Sequence, residues 1–311
     1  MLEKIKQWWT LDQEAEENSA DNPISALSDN QRRSTGPLLA LAFGWGFLVT
    51  GLFTGTQLGN GIPFWPDIIY TTFLGNLANF IVGAIVGYIG HKTACNSGLL
   101  YRYVYGNIGA YIPVLFISIL TIGWQGIVVG AFGITWTLAL NPEIAAADIF
   151  SSRTFITTAL FAGLLYTITT YFGVKGLERI SIPSVAILVF VGLYAIYLNI
   201  IQAGGLSGFQ SLSVALVSES KMTTIEAINI VIGSWIVGAV VMPEYTRFAK
   251  KTWVAIAIPF IVLIIAQWFL QILGALGGVV SNDSLFSAFL GVDLNILMRE
   301  GFIIGWIGII G

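Results

Sequence analysis

Gly44-Trp45-Gly46-Phe47-Leu48-Val49-Thr50-Gly51-Leu52-Phe53-Thr54-Gly55-Thr56-Gln57-Leu58-Gly59-Asn60-Gly61 decides the fold. It lies in an apolar run long enough to cross a bilayer, yet glycine and polar residues recur through it. Such a segment cannot sit in lipid as an ordinary helix. Any turn that unwinds must hand its freed carbonyls to protein, water or a bound ion. Working outward, a second segment repeats the theme, with Gly233, Ser234 and Gly238 ahead of Pro243.

The rest of the chain is equally lipid-like. Hydrophobic residues make up 56% and charged residues 10%, with a mean hydropathy of +0.81, against about 25% charged residues in a soluble domain. Charge-poor runs of about 20 residues predict spans near 38–58, 66–90, 111–140, 153–173, 180–202, 223–242 and 252–280. An eighth run opens at Gly301 and reaches only to Gly311. At about 1.5 Å per residue it covers roughly half of a hydrocarbon core about 30 Å thick. The expectation is a chain truncated inside its eighth helix.

These spans divide the sequence into a polar tail, 1–36, and a transmembrane region, 37–311. The first and sixth spans stand five apart, the interval of two inverted five-helix repeats, here about 37–202 and a partial 223–311. In that architecture the first helix of each repeat is broken, and substrate and ion bind at the breaks. The fold class expected is therefore an all-α integral membrane protein with an inverted five-helix repeat and broken first and sixth helices, near Gly44–Gly51 and Gly233–Gly238.

Charge sets the orientation. Of 14 Lys and Arg residues, eleven fall on the side of the N-terminus. Only Arg153, Lys221 and Arg299 fall opposite. This places the N-terminus in the cytoplasm of a multi-pass cell-membrane protein. The net charge of −3 comes largely from the acidic stretch Asp12 to Asp21 and indicates no nucleic-acid partner. Cys95 is the single cysteine, so no intramolecular disulfide forms. No cleavable signal is expected, because a long polar head precedes a first apolar run of full spanning length.

Trp124, in Gly123-Trp124-Gln125-Gly126, and Trp235, in Gly233-Ser234-Trp235, place flat rings mid-span among glycines. Rings so placed suit a flat solute. Trp65 and Trp253, at span ends, suit interfacial belts. Gly83-x-x-x-Gly87 fits close helix packing. His91 reads as a solvated residue beside Lys92, and Glu244 and Arg247 stand three apart on one helix face. The third to fifth spans carry no acid inside the membrane, so no nucleophile–base pair converges there and enzyme chemistry is not expected.

Phe73-Leu74-Gly75-Asn76, Gly87-Tyr88-Ile89-Gly90-His91-Lys92-Thr93, Leu100-Tyr101-Arg102, Tyr105-Gly106, Pro113 and Gly123-Trp124 together resemble the nucleobase:cation symporter-1 family, most closely its cytosine permease branch. Thr54-Gly55, Leu58-Gly59-x-Gly61, Phe172-Gly173, Gly233-Ser234 and Tyr245-Thr246-Arg247-Phe248 extend the resemblance over about 35–280. It implies secondary transport of a nucleobase or related neutral heterocycle by cation symport, with sodium as coupling ion and no other cofactor. By similarity, Trp124 and Trp235 form the walls of the pocket, Ser234 supplies an edge hydrogen bond, and Gln125 and Leu48 line it. The carbonyls of Gly44 and Phe47 match sodium ligands. An eighth helix supplies the rest. At the pocket the chain matches no single branch, reading Ser234-Trp235-Ile236-Val237 where cytosine permeases carry Ser-Phe-x-Ser, and Val128 where the hydantoin branch carries an amide. An amino-acid or other small-solute sodium symporter on the same fold is the alternative.

Overall fold

The computed structural model describes residues 25–48, 50–141, 143–171, 189–190, 192–217 and 222–281. Most of the expected tail, part of the fifth span, Phe172-Gly173 and the eighth run lie outside the described residues. Everything regular within them is helical: α1 Thr35–Gly46, α2 Thr50–Gly59, α3 Ile69–Thr93, α4 Ser97–Gly109, α5 Tyr111–Leu140, α6 Arg153–Tyr171, α7 Gly205–Val217, α8 Thr224–Val240, α9 Pro243–Thr246, α10 Thr252–Pro259 and α11 Trp268–Ser281. Helices are what a bilayer demands, because each backbone donor and acceptor must be satisfied within its own segment.

Among the described residues, four stretches are long and apolar enough to span: Phe64–Thr93, Tyr111–Leu138, Thr224–Thr246 and Thr252–Val280. The bent pair α1 and α2 makes a fifth. These coincide with the first, second, third, sixth and seventh expected spans. The fourth appears as the shorter apolar helix Arg153–Ile168, and residues 192–202 of the fifth are helical.

The first helix is broken, with α1 and α2 meeting at 44° between Gly46 and Thr50. The second expected break lies elsewhere. α8 runs without interruption through Gly233 and Gly238 to Val240, and irregular backbone comes only at Val241, where φ is −93° and ψ 12°, before α9 starts on Pro243. A lone glycine costs a helix about 1 kcal/mol, too little to break one whose neighbours hold it. Proline removes a donor and ends the regular pattern.

The glycines of α2 also have a use other than unwinding. Gly51, Gly55 and Gly59 form one stripe, and α11 answers with Gly274 and Gly278. A Cβ on Gly59 would lie 2.5 Å from the Ala275 carbonyl oxygen and one on Gly278 2.8 Å from that of Thr56. On Gly55 it would strike the Gln271 backbone. α2 therefore stays helical and packs backbone to backbone on α11, the small-residue contact that lets helices associate in lipid. Gly83, Gly87 and Gly90 do the same for α3, facing Met242 and Pro259, Thr246, and Pro243 respectively.

The seventh span is irregular too. Pro259 closes α10, and Phe260–Gln267 continues as a π-helical, wide-turn stretch before α11 resumes. Such a bulge rotates the face presented downstream. Here that rotation turns Gln267 and Gln271 towards helices 1 and 3, where both are wholly buried.

At one end of the bundle an N-terminal strap crosses the helix ends. Leu27 N–H donates to the Ala94 carbonyl at 3.0 Å and Arg33 N–H to that of Phe248 at 2.9 Å. Arg32 donates from Nη1 to the Ala249 carbonyl at 2.7 Å and from Nη2 to that of His91 at 3.1 Å. His91 is thereby buried, 6% exposed, and not the solvated residue its position beside Lys92 suggests. Its Nδ1 lies 3.1 Å from Arg32 Nη1, and its Nε2 lies 3.2 Å from Thr252 Oγ1. Nδ1 also lies 2.9 Å from the Ala249 carbonyl oxygen, so the ring is enclosed by the Arg32 guanidinium, that carbonyl and the Thr252 hydroxyl. Glu244 accepts from Ser97 N–H at 2.9 Å, at the start of α4.

Candidate functional site

The break between α1 and α2 is the natural centre of a site, because an interrupted helix leaves carbonyls at one end and N–H groups at the other. Phe47 caps α1 with φ −84° and ψ 48°. Its N–H is shared between the carbonyls of Phe43 at 3.2 Å and Gly44 at 3.1 Å. Gly44 is buried, and Phe47 is 8% exposed, its ring stacked on Phe43 at 5.0 Å and tilted against Phe269 at 5.8 Å. A carbonyl has two lone pairs, so accepting from Phe47 leaves the Gly44 oxygen able to meet a second partner. Leu48 is half-buried, and its carbonyl accepts from Gly51 N–H at 3.0 Å, which starts α2.

Three aromatic rings gather beside this break. Trp45 stacks on Tyr245, with centroids 4.1 Å apart and planes inclined by 23°, and meets Trp235 edge-on at 5.4 Å. Trp235 is 3% exposed, in a core cluster against which Trp45, Leu48 and Tyr245 also pack. Its indole Nε1 is buried and has no hydrogen-bond partner among the described residues. Ser234, half-buried, donates from Oγ to the Val231 carbonyl at 2.7 Å.

Trp124 and Gln125 stand apart from this group. Both lie mid-way along α5, Trp124 half-buried and Gln125 exposed. Among the described residues, a Cβ on Gly123, Gly126 or Gly130 would meet nothing within 4 Å. No ring contact pairs Trp124 with Trp235 among the described residues. Among the described residues the structure thus packs Leu48 against Trp235, Trp45 and Tyr245, sets Phe47 in a separate cluster with Phe43 and Phe269, and brings Trp124 and Gln125 into neither.

The residues that sequence reasoning missed are amides. Asn76 Nδ2 donates to Gln271 Oε1 at 2.7 Å, joining α3 to α11. Asn79 Nδ2 reaches the carbonyls of Val231 and Ile232 at 3.3 Å each. Gln267 Nε2 donates to the Gly46 carbonyl at 2.6 Å, and Trp268 Nε1 to Thr72 Oγ1 at 3.0 Å. The signal was present: amides recur at i, i+3 in the second span and i, i+4 in the seventh, so each pair shares a helix face. A buried polar group left unpaired costs about 1–3 kcal/mol, so such residues in apolar helices point to one another.

Among the described residues no group of three His, Cys, Asp or Glu side chains could hold a metal ion. Cavities also open among the described residues. One, of 330 Å³, is lined by Pro63, Phe64, Trp65, Phe209, Ser213 and Leu276. Another, polar, lies among Asp29, Arg32, His91, Lys92 and Lys250 at the strap. Neither includes the aromatic cluster.

The comparisons with known proteins agree with this architecture. The chain is 28% identical over 262 residues to the cytosine permease of Escherichia coli strain K12, an alignment covering 83% of this chain and 58% of that protein. The chain therefore spans 58% of the length of the curated relative it matches. Among solved structures, it resembles Mhp1, a nucleobase-cation-symport-1 family transporter, in a closed conformation with bromovinylhydantoin bound. The TM-score is 0.74 at 16% identity, over 94% of this chain and 66% of that one. The inward-facing conformation of Mhp1 matches with a TM-score of 0.73 at 17% identity, over 93% of this chain and 64% of that one. These relatives are transporters, not enzymes. The family described as permeases for cytosine/purines, uracil, thiamine and allantoin matches residues 32–293, and with the broken first helix and the shared transporter fold, the chain belongs to that family.

Proposed function

We propose that this chain carries the first helices of a secondary transporter that imports a neutral nucleobase or related heterocycle across the cell membrane, by cation symport and alternating access. The observation that carries the reading is the break between Gly46 and Thr50 beside Trp45, Trp235 and Tyr245. An ion-binding backbone and a ring-binding surface share one location. Bulk sodium is a hard cation that takes about five or six oxygens. The carbonyls of Gly44 and Phe47 supply two, and the remainder come from elsewhere in the protein.

Trp235 stacks on the heterocycle, its buried Nε1 donating to a ring nitrogen or carbonyl at the edge, with Ser234 adjacent. Each base–aromatic stack contributes about 1–3 kcal/mol. Trp124 and Gln125 supply the opposite wall in the state that holds substrate, with Leu48 at the floor. Trp45 now stands edge-on to Trp235, so a face-on stack requires Trp45 to swing with α1, the piece that the break separates from α2. That motion is the link between ion and substrate. The positive-inside charge distribution supports a cytoplasmic N-terminus, which puts the Arg32 strap on the cytoplasmic side.

Uptake of radiolabelled cytosine, uracil, adenine and leucine by the full-length protein in vesicles, with and without a sodium gradient, tests the reading. Sodium-driven uptake of one of the bases, with none of leucine, is expected. Leucine uptake alone would replace it by an amino-acid symporter on the same fold. Base uptake driven by pH and indifferent to sodium would remove the cation role of Gly44 and Phe47.

A further inference from the structure

Gln267 spans the break in the first helix. Gly46 is the last residue of α1, and its carbonyl is one of those a helix end leaves unsatisfied. Gln267 Nε2 donates to it at 2.6 Å. The other end of the same amide, Oε1, lies where a Cβ on Gly51 would be only 2.6 Å away, so it rests on the first turn of α2. Oε1 is buried without a hydrogen-bond partner among the described residues, and Gln267 is 0% exposed. One planar side chain thus places a donor on the carbonyl end of α1 and an acceptor against the N-terminal turn of α2.

The seventh span is shaped to hold that amide there. Gln267 is the last residue of the wide-turn stretch Phe260–Gln267. The stretch touches α1 closely: a Cβ on Gly46 would lie 2.5 Å from Ala266 Cβ and 3.0 Å from Val262. Just beyond, Trp268 and Gln271 anchor α11 to Thr72 and Asn76 of α3 at 3.0 and 2.7 Å. α11 is therefore pinned to the second span while it reaches into the first.

We propose that Gln267 is a positioning residue for the broken helix: it holds the end of α1 in register with the seventh span, and so sets the direction of the Gly44 and Phe47 carbonyls and ties their occupancy to α11. This rests on the cation reading of the break given above. The donor on Gly46 is the part that matters, so a side chain that fills the same space without donating should release the break.

Three variants of the full-length protein, Gln267→Leu, Gln267→Met and Gln267→Glu, test it. Hydrogen–deuterium exchange across residues 47–52, in the absence of substrate, is expected to rise by about tenfold in the leucine and methionine variants, since local opening sets the exchange rate. Substrate binding measured with and without sodium is expected to lose most of its sodium dependence in the same variants. In Gln267→Glu a protonated carboxyl can donate to Gly46 and an ionised one cannot. Its affinity relative to wild type should therefore fall, by about tenfold or more, as the pH rises through the titration of that carboxyl. Space-filling alone predicts a ratio indifferent to pH. Unchanged exchange, unchanged sodium dependence in the leucine and methionine variants, or a pH-independent ratio for glutamate would each overturn the proposal. Absence of sodium-dependent binding in the wild type would instead overturn the cation reading, and the exchange measurement would still decide whether Gln267 holds the break.

Discussion

The third and seventh spans are near twins by composition and opposites in the fold. Tyr111–Leu138 and Thr252–Val280 are almost equally hydrophobic, yet among the described residues the most apolar part of the first has no buried residue and half of that part of the second is buried. α5 presents Ile112, Leu115, Phe116, Ile119 and Ile122 outward and packs mainly through its second half on α6, where Gly133 meets Phe155 and Ala159. α11 carries glycines against the α2 backbone and amides against α1 and α3. Hydropathy reports that a helix prefers lipid to water. It does not distinguish lipid from the apolar side of another helix, because the two are about equally apolar and association depends on close packing and hydrogen bonds.

Glycine substitution should break the symmetry of the two spans most sharply. Gly55→Leu drives a side chain into the Gln271 backbone, where no rotamer can yield. Overpacking of flexible side chains alone costs about 1–3 kcal/mol, and a backbone clash should exceed that and abolish a monodisperse folded protein on size exclusion. Gly126→Leu on α5 meets nothing within 4 Å among the described residues and should leave the unfolding transition within about 0.5 kcal/mol of wild type. Equal behaviour of the two variants would end the distinction drawn here.

The tryptophans sharpen it next. Trp235→Ala removes a buried core ring and should cost about 3–5 kcal/mol of stability as well as substrate affinity. Trp124→Ala should leave thermal unfolding nearly unchanged while weakening heterocycle binding by about 1–3 kcal/mol. Ligand-free melting and equilibrium binding on the same preparations separate the two. A Trp124→Ala variant with wild-type affinity would assign that residue to packing.

The smallest expected effect lies in the amides. Asn76→Leu or Gln271→Leu alone strands a buried partner, at about 1–3 kcal/mol each. The double variant strands none, and a double-mutant cycle should return a coupling near 0.6 kcal/mol and below about 2. Strictly additive losses would mean the 2.7 Å bond contributes nothing to holding α3 on α11.

How much was legible can be judged residue by residue. The break in the first helix was readable from its glycine and threonine content, and it falls between Gly46 and Thr50, inside the expected Gly44–Gly51. A glycine bends a helix or admits a neighbour by the same lack of a Cβ, and only the neighbour decides which. At Gly51, Gly55 and Gly59 the neighbour is α11, so the helix stays whole. At Gly233 and Gly238 α8 likewise continues, and the discontinuity waits for Pro243. His91 was read as solvated because lysine adjoins it, whereas the strap's Arg32, distant in sequence, buries it. Of the residues named from the family resemblance, Leu48 packs against the cluster of Trp235, while the Phe47 ring packs with Phe43 and Phe269 instead. Trp45 was passed over, although it sits between two glycines of the decisive stretch.

The sequence by itself determined that the chain is a multi-pass membrane protein, where the first, second, third, sixth and seventh spans fall and which family it belongs to. These are properties of composition and order along the chain, and they hold whatever each helix touches. Only the tertiary structure decided which glycines pack, which ring lies against Trp235, and that an amide of the seventh span closes on the end of α1. Those facts depend on the distance between atoms remote in the chain, and at an interface where backbones touch, one ångström separates a hydrogen bond from a clash.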